Sequence, residues 1–178
     1  MQNAPKLVAI AYDLNFRHAA EIFSSASEYV RQQSLNWQLL PLNYGFESKL
    51  MELANSGRLS GVIGTFVSDE WIKGLLSQEV AAVNLFNFSR IRSAPSICLD
   101  DEAIGQSASK HLLEQGAHSF AFIGQDQAYY NQIRHRSFAE SVPEGTFYTV
   151  DSSASRRAQA ACLSKLTTPT GVLCSNDR

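Results

Sequence analysis

A chain of 178 residues has room for one ordinary domain or two small lobes, since domains commonly run to roughly 100–150 residues. Hydrophobic residues make up 44% and charged residues 18%, a globular balance that excludes wholesale disorder. With 15 Lys and Arg against 17 Asp and Glu the net charge is −2, so bulk charge supplies no attraction to nucleic acid.

The chain opens on MQNAPKLVAIAYDLNF, with one lysine and an apolar run that is too short for a signal peptide or a membrane span. The expectation is a cytoplasmic chain without a membrane partner. That first run is also the first of six that finish on or just before an aspartate: Asp13, Asp69, Asp100, Asp126, Asp151 and Asp177. Buried parallel strands read as continuous apolar runs, and their carboxyl ends open onto the crevice where open α/β sheets bind ligands.

After the strand Leu7–Asp13, Phe16, Ala19, Ala20, Phe23, Ala26 and Val30 recur at helical spacing. Trp37–Asn43 is predicted as a strand, and Glu47–Asn55 as a helix that stops at Ser56–Gly57. A strand over Gly61–Phe66 follows, then a short helix capped by Ser68 with Trp71, Ile72, Leu75 and Leu76 on its apolar face. Next come the strand Ala81–Phe86, a polar connection containing Arg90, Arg92 and Pro95, the strand Ser96–Asp100, and a helix from Glu102 to Gln115 ending at Gly116.

The pattern then restarts, with strands at Phe120–Gly124, Phe147–Val150 and Gly171–Ser175 and helices at Tyr130–Ser141 and Ser155–Leu166. Strands alternating with helices predict right-handed βαβ units and parallel sheets. The fold class expected is α/β, two doubly wound parallel-sheet lobes. Their boundary is placed near Gly116–Ser119, giving lobes 1–117 and 118–178.

The segment joining the lobes carries a family resemblance. Asp100, Gly105, His111, Leu112, Leu113, Gly116 and the strand FAFIG resemble the crossover of lactose/galactose repressors and type 1 periplasmic binding proteins. Arg134 and Phe138 are similar to that family's Arg-any-any-Gly-Phe motif, with Ser137 in place of glycine. The stretch PTGVLCSND, Pro169–Asp177, resembles the strand that ends at the family's effector site. Within the family, the first helix and the following Trp37 are most similar to those of xylose-operon regulators, as is the segment from Tyr130 to Phe138.

The resemblance implies an effector-sensing domain of a bacterial transcription regulator, a homodimer that binds a small molecule, a monosaccharide such as a pentose, between its lobes. It implies DNA binding only through a region absent from this chain. It also implies further βα units after Asp177, which leaves the second lobe incomplete here. Two other readings remain open: a sugar transport binding protein, and a flavodoxin-like nucleotide-handling enzyme, because doubly wound sheets host many chemistries.

The candidate ligand residues are Asp13, Asn15, Asp100, Tyr130, Arg134, Asn176 and Asp177. Asp13 can accept two sugar hydroxyls, or it or Asn15 can cap the first helix. Asp100 ends its strand, while Asp101 can cap the next helix. Arg134 offers a fixed fork of donors for vicinal hydroxyls or a carboxylate; the alternative is a surface arginine beside His135 and Arg136. Tyr130, like Tyr129, can stack on a pyranose or sit in the core. Asn176 and Asp177 match the family's effector-contacting pair.

Asp69, Asp126 and Asp151 read as caps or loop residues. The four histidines, His18, His111, His118 and His135, show no metal spacing, and no catalytic motif or cofactor cradle is present. Cys98, Cys162 and Cys174 are expected to be packing residues in a reducing compartment.

Overall fold

The computed structural model describes residues 4–12, 15, 17–43, 47–125, 127–166 and 169–175. The element order is β1 (Lys6–Ala11), α1 (Arg17–Gln32), β2 (Trp37–Leu42), α2 (Glu47–Asn55), β3 (Leu59–Gly64), α3 (Asp69–Leu76), β4 (Ala81–Leu85), β5 (Ser96–Ile97), α4 (Asp101–Glu114), β6 (Ser119–Gly124), α5 (Tyr129–Glu140), β7 (Phe147–Asp151), α6 (Arg156–Leu163) and β8 (Thr170–Cys174). Strands and helices alternate as the apolar runs predict, and every strand pair is parallel. Among the described residues, no helix is long and apolar enough to cross a membrane.

Two compact units result, Met1–Cys98 and Leu99–Arg178. Unit 1 is a five-stranded sheet of order β2-β1-β3-β4-β5. Strand β1, between β2 and β3, is buried on both faces, with Val8, Ala9, Ile10 and Ala11 all at or below 6% exposure. Ala9 and Ala11 join Leu50, Leu53 and Ala54 of α2 and Ile72 and Leu75 of α3 in one apolar cluster. Full burial of each leucine or isoleucine there stabilises the fold by about 1.5–3 kcal/mol. Gly64 is required at the end of β3, because a Cβ there would lie 2.6 Å from the Ala11 carbonyl oxygen and 2.8 Å from the Ala11 Cβ.

Ser68 caps α3 as predicted, its Oγ accepting from Trp71 N at 3.2 Å. Gly57 and Gly116, with φ of 67° and 79°, end α2 and α4 in the left-handed conformation that a glycine adopts without strain. The strand predicted over Ser96–Asp100 is only two residues long. The chain leaves the sheet early because the Asp101 N–H donates to Leu99 O at 3.0 Å and the Asp100 carboxylate caps α4.

Unit 2 is a three-stranded sheet of order β7-β6-β8. Phe120, Phe122, Phe138 and Val142 form its core, with Leu112 of α4 and Leu173 of β8 packed against them. The division between units falls at Cys98, so α4, placed in the first lobe from sequence, belongs with unit 2. The cause is a close crossing of α4 and α5: a Cβ on Gly105 would stand 2.8 Å from Arg134 O and 2.9 Å from both Phe138 N and the Ser137 Cβ. Across that crossing Ser137 Oγ donates to Glu102 O at 2.6 Å.

The cysteines depart from the sequence expectation. Cys98 and Cys174 are exposed and Cys162 is half-buried. Cys98 lies beyond the shortened β5, and Cys174 faces outward on a strand paired only with β6, so neither reaches a core.

Candidate functional site

The carboxyl end of each sheet carries a cluster of polar and aromatic side chains. In unit 2 it is organised by Arg134, one turn into α5. Its Nε donates to Asp101 Oδ1 at 2.8 Å and its Nη1 to Ser175 O at 2.8 Å. The side chains of Arg134 and Asp101 are 15% and 2% exposed, so the pair is largely withdrawn from water. On one face of the guanidinium lies the ring of Tyr130, its centroid 5.0 Å from Cζ. Arg134 therefore ties the start of α4, its own helix and the residue after β8 into one rigid group.

Asn131, on the same helix, is 3% exposed. Its Nδ2 donates to Gln125 O, just beyond β6, at 2.9 Å, while its Oδ1 is buried with no partner. Most buried polar atoms are satisfied, so this acceptor marks a place where the fold carries a cost.

Of the residues singled out from sequence, Tyr130 and Arg134 come together here. Asp100 does not join them: its Oδ1 accepts from Ala103 N at 2.9 Å as the N-cap of α4. The inward carboxylate is that of Asp101, for which the sequence offered only a capping role. Only one residue of an acidic pair at a helix start can sit at the N-cap, and the next already points along the helix. Asp101, Ser175 and Asn131 belong to this candidate cluster and were missed by sequence reasoning, for which the doubled Asp100–Asp101 was the one available signal.

In unit 1, Asn15 is an exposed turn residue, and Asp13 lies outside the described residues, as do Asn176, Asp177 and Asp126. Around the ends of β1 and β4 stand Tyr12, His18 and Phe86, with centroids 5.3 Å (Tyr12–His18), 5.5 Å (Tyr12–Phe86) and 6.1 Å (His18–Phe86) apart. The Tyr12 hydroxyl and His18 Nε2 share a hydrogen bond. Phe86 has φ 60°, a conformation that costs a bulky residue roughly 1–3 kcal/mol.

The other strand-end aspartates serve loops. Asp69 accepts from Arg92 N and Ser93 N, both at 2.8 Å, and from Ser93 Oγ at 2.9 Å, with Lys73 Nζ 3.5 Å away. The two backbone N–H groups, foremost that of Arg92, hold its carboxyl well below the usual carboxylate range. Asp151 is lowered likewise by the Ser153 hydroxyl and then the Ser153 N–H. Among the described residues, no group of three or more His, Cys, Asp or Glu is placed to hold a metal ion.

No protein-family model matches the chain, and no curated protein sequence does either. Solved structures do. The chain is similar to the transcription regulator CcpA of Lactococcus lactis, with a TM-score of 0.74 at 15% identity over 97% of this chain and 69% of that one. A LacI family transcriptional regulator from Enterococcus faecium, solved with bound ribose, gives 0.72 at 21% identity over 97% of this chain and 67% of that one. An ABC transporter solute-binding protein from Burkholderia multivorans gives 0.63 at 13% identity, covering 84% of this chain and 60% of that one. At these identities the likeness is one of fold: the chain has an α/β fold like that of type 1 periplasmic binding proteins, with one five-stranded and one three-stranded parallel sheet among the described residues.

Proposed function

We propose that this chain is the effector-sensing part of a bacterial transcription regulator of the lactose/galactose repressor type, with a monosaccharide, a pentose in the first instance, held between its two lobes. The observation that carries the reading is the Arg134 group. A guanidinium is fixed at the carboxyl end of a parallel sheet, where such folds bind ligands, with part of its donor set engaged by Asp101 and Ser175 and an aromatic ring on one face. Fixed donors beside a ring suit the vicinal hydroxyls and C–H face of a sugar. Asp13, Asn15, Asn176 and Asp177 are proposed to complete the contacts.

Ligand that touches both lobes favours their closed arrangement, and a homodimer in the cytoplasm transmits that population shift to a DNA-binding region outside this chain. The ribose-bound Enterococcus faecium regulator supports a pentose. The solute-binding protein from Burkholderia multivorans supports, as a second reading, a sugar transport role.

Thermal melting of the full natural protein against pentoses, hexoses, nucleotides and flavins tests the proposal, since a selective ligand raises apparent stability. A sugar-selective rise that is diminished in Arg134→Lys is the expected result. A rise with nucleotide or flavin alone, or no rise with any sugar, overturns it. Release of operator DNA on sugar addition separates the regulator from the transport reading.

A further inference from the structure

Phe86 is held in its left-handed conformation by one side chain. Asn84, two residues back on β4, is 1% exposed. Its Nδ2 donates to Phe86 O at 2.8 Å and to Ser96 Oγ at 3.1 Å, and its Oδ1 accepts from Phe66 N at 3.2 Å. A single amide thus joins the chain leaving β3, the chain leaving β4 and the start of β5. The Phe86 N–H, donating to Ile97 O at 2.7 Å, completes the clamp.

The strain at Phe86 is not offset by burying its ring. Phe86 and Tyr12 are half-buried and His18 is exposed, so the three rings, which follow β1 and β4, keep part of their surface uncovered. Just beyond β3, which lies between β1 and β4, Thr65 donates its N–H to Ala11 O at 3.4 Å, and its Oγ1 is buried with no partner. A strained aromatic residue and an unsatisfied hydroxyl at one end of one sheet are both costs, and folds keep such costs at sites where a ligand contact recovers them.

We propose that Asn84 is a positioning residue of the effector site in unit 1: its amide holds Phe86 so that the Phe86 ring, with Tyr12 and His18, forms the surface that takes the C–H face of the sugar. This rests on the function proposed above. Asn84 touches no ligand and acts through Phe86. Without the amide the Phe86 backbone relaxes toward negative φ, the ring swings away from Tyr12 and His18, and the surface is lost while the sheet beneath it remains.

The test uses Asn84→Asp, which can still accept from Phe66 N but has no N–H to give to Phe86 O. Nuclear magnetic resonance of the full chain without ligand should show the His18 and Tyr12 ring resonances moving in Asn84→Asp, while those of Phe120 and Phe138 stay in place. Unchanged His18 and Tyr12 resonances overturn the proposal. Because glycine adopts φ 60° without strain, adding Phe86→Gly should restore stability to Asn84→Asp even if that variant folds poorly alone. No rescue also overturns it.

With D-ribose and D-xylose as probes, Asn84→Asp and Phe86→Gly should each weaken binding by about tenfold, the scale of losing one ring contact. The double variant should be no weaker than Phe86→Gly alone, and losses that simply add overturn the positioning role. If the wild-type protein binds neither sugar, the function proposed above fails, while the ligand-free spectra and the rescue still decide whether Asn84 positions Phe86.

Discussion

Arg134 Nε donates to Asp101 Oδ1 at 2.8 Å across the α4–α5 crossing, with the Asp101 side chain 2% exposed. Removing one partner of such a pair leaves the other charge buried without its counterpart, which costs roughly 3–5 kcal/mol. Arg134→Ala and Asp101→Ala are each expected to lose stability on that scale. The double variant should lose less than the sum, as read by urea denaturation of the four proteins in a cycle.

The same crossing depends on having no side chain at position 105. Gly105→Ala forces a methyl group to 2.8 Å from Arg134 O, so α4 and α5 must separate. A loss of about 1–3 kcal/mol is expected, as for other overpacked contacts. Gly74 on α3 has nothing within 4 Å of the position its Cβ would take. Gly74→Ala should therefore raise stability by up to about 1 kcal/mol through helix propensity. No loss in Gly105→Ala, or a loss in Gly74→Ala as large as that in Gly105→Ala, would reject the packing account.

Asp69 gives unit 1 a defined response to acid. Its folded pKa lies below the usual value of 3.8, so the folded state binds fewer protons than the unfolded one in that region. Its contribution is fully present above 3.8 and is lost as pH falls through that value toward the lower folded one. Wild type should exceed Asp69→Asn in stability at neutral pH, and the gap should narrow steadily on acidification below 3.8. Melting temperatures of both proteins across that range provide the check, and a constant gap would remove Asp69 as the cause.

Phe138 is fully buried, with its ring against Phe120 at 6.3 Å and Phe147 at 5.7 Å between centroids. Phe138→Ala is expected to cost about 3–5 kcal/mol and to melt unit 2 preferentially. Tryptophan fluorescence from Trp37 and Trp71, both in unit 1, should then retain a native transition that circular dichroism of the whole chain no longer shows alone.

The alternation of apolar runs with helical spacing made the α/β class and the element order legible, and Glu47–Asn55 and the Ser68 cap agree with their local patterns to the residue. Those features are local: a strand of five apolar residues or a serine before an apolar helix acts through near neighbours. The site was legible only in part. Arg134 and Tyr130 stood out by type and by a family motif. The carboxylate facing Arg134 did not, because Asp100 and Asp101 are chemically equal and only the turn into α4 distinguishes cap from partner.

From sequence alone came the number of βα units, the parallel sheets and the apolar faces that cover them, because periodicity and capping act over a few residues. Tertiary structure decided what depends on approach between distant segments. It placed α4 with unit 2, since Gly105 admits Arg134 and Ser137 at close range, and it turned Asp101 inward. It also held Phe86 at positive φ through Asn84, a clamp that involves residues from β3 to β5 and leaves no trace in any one stretch of chain.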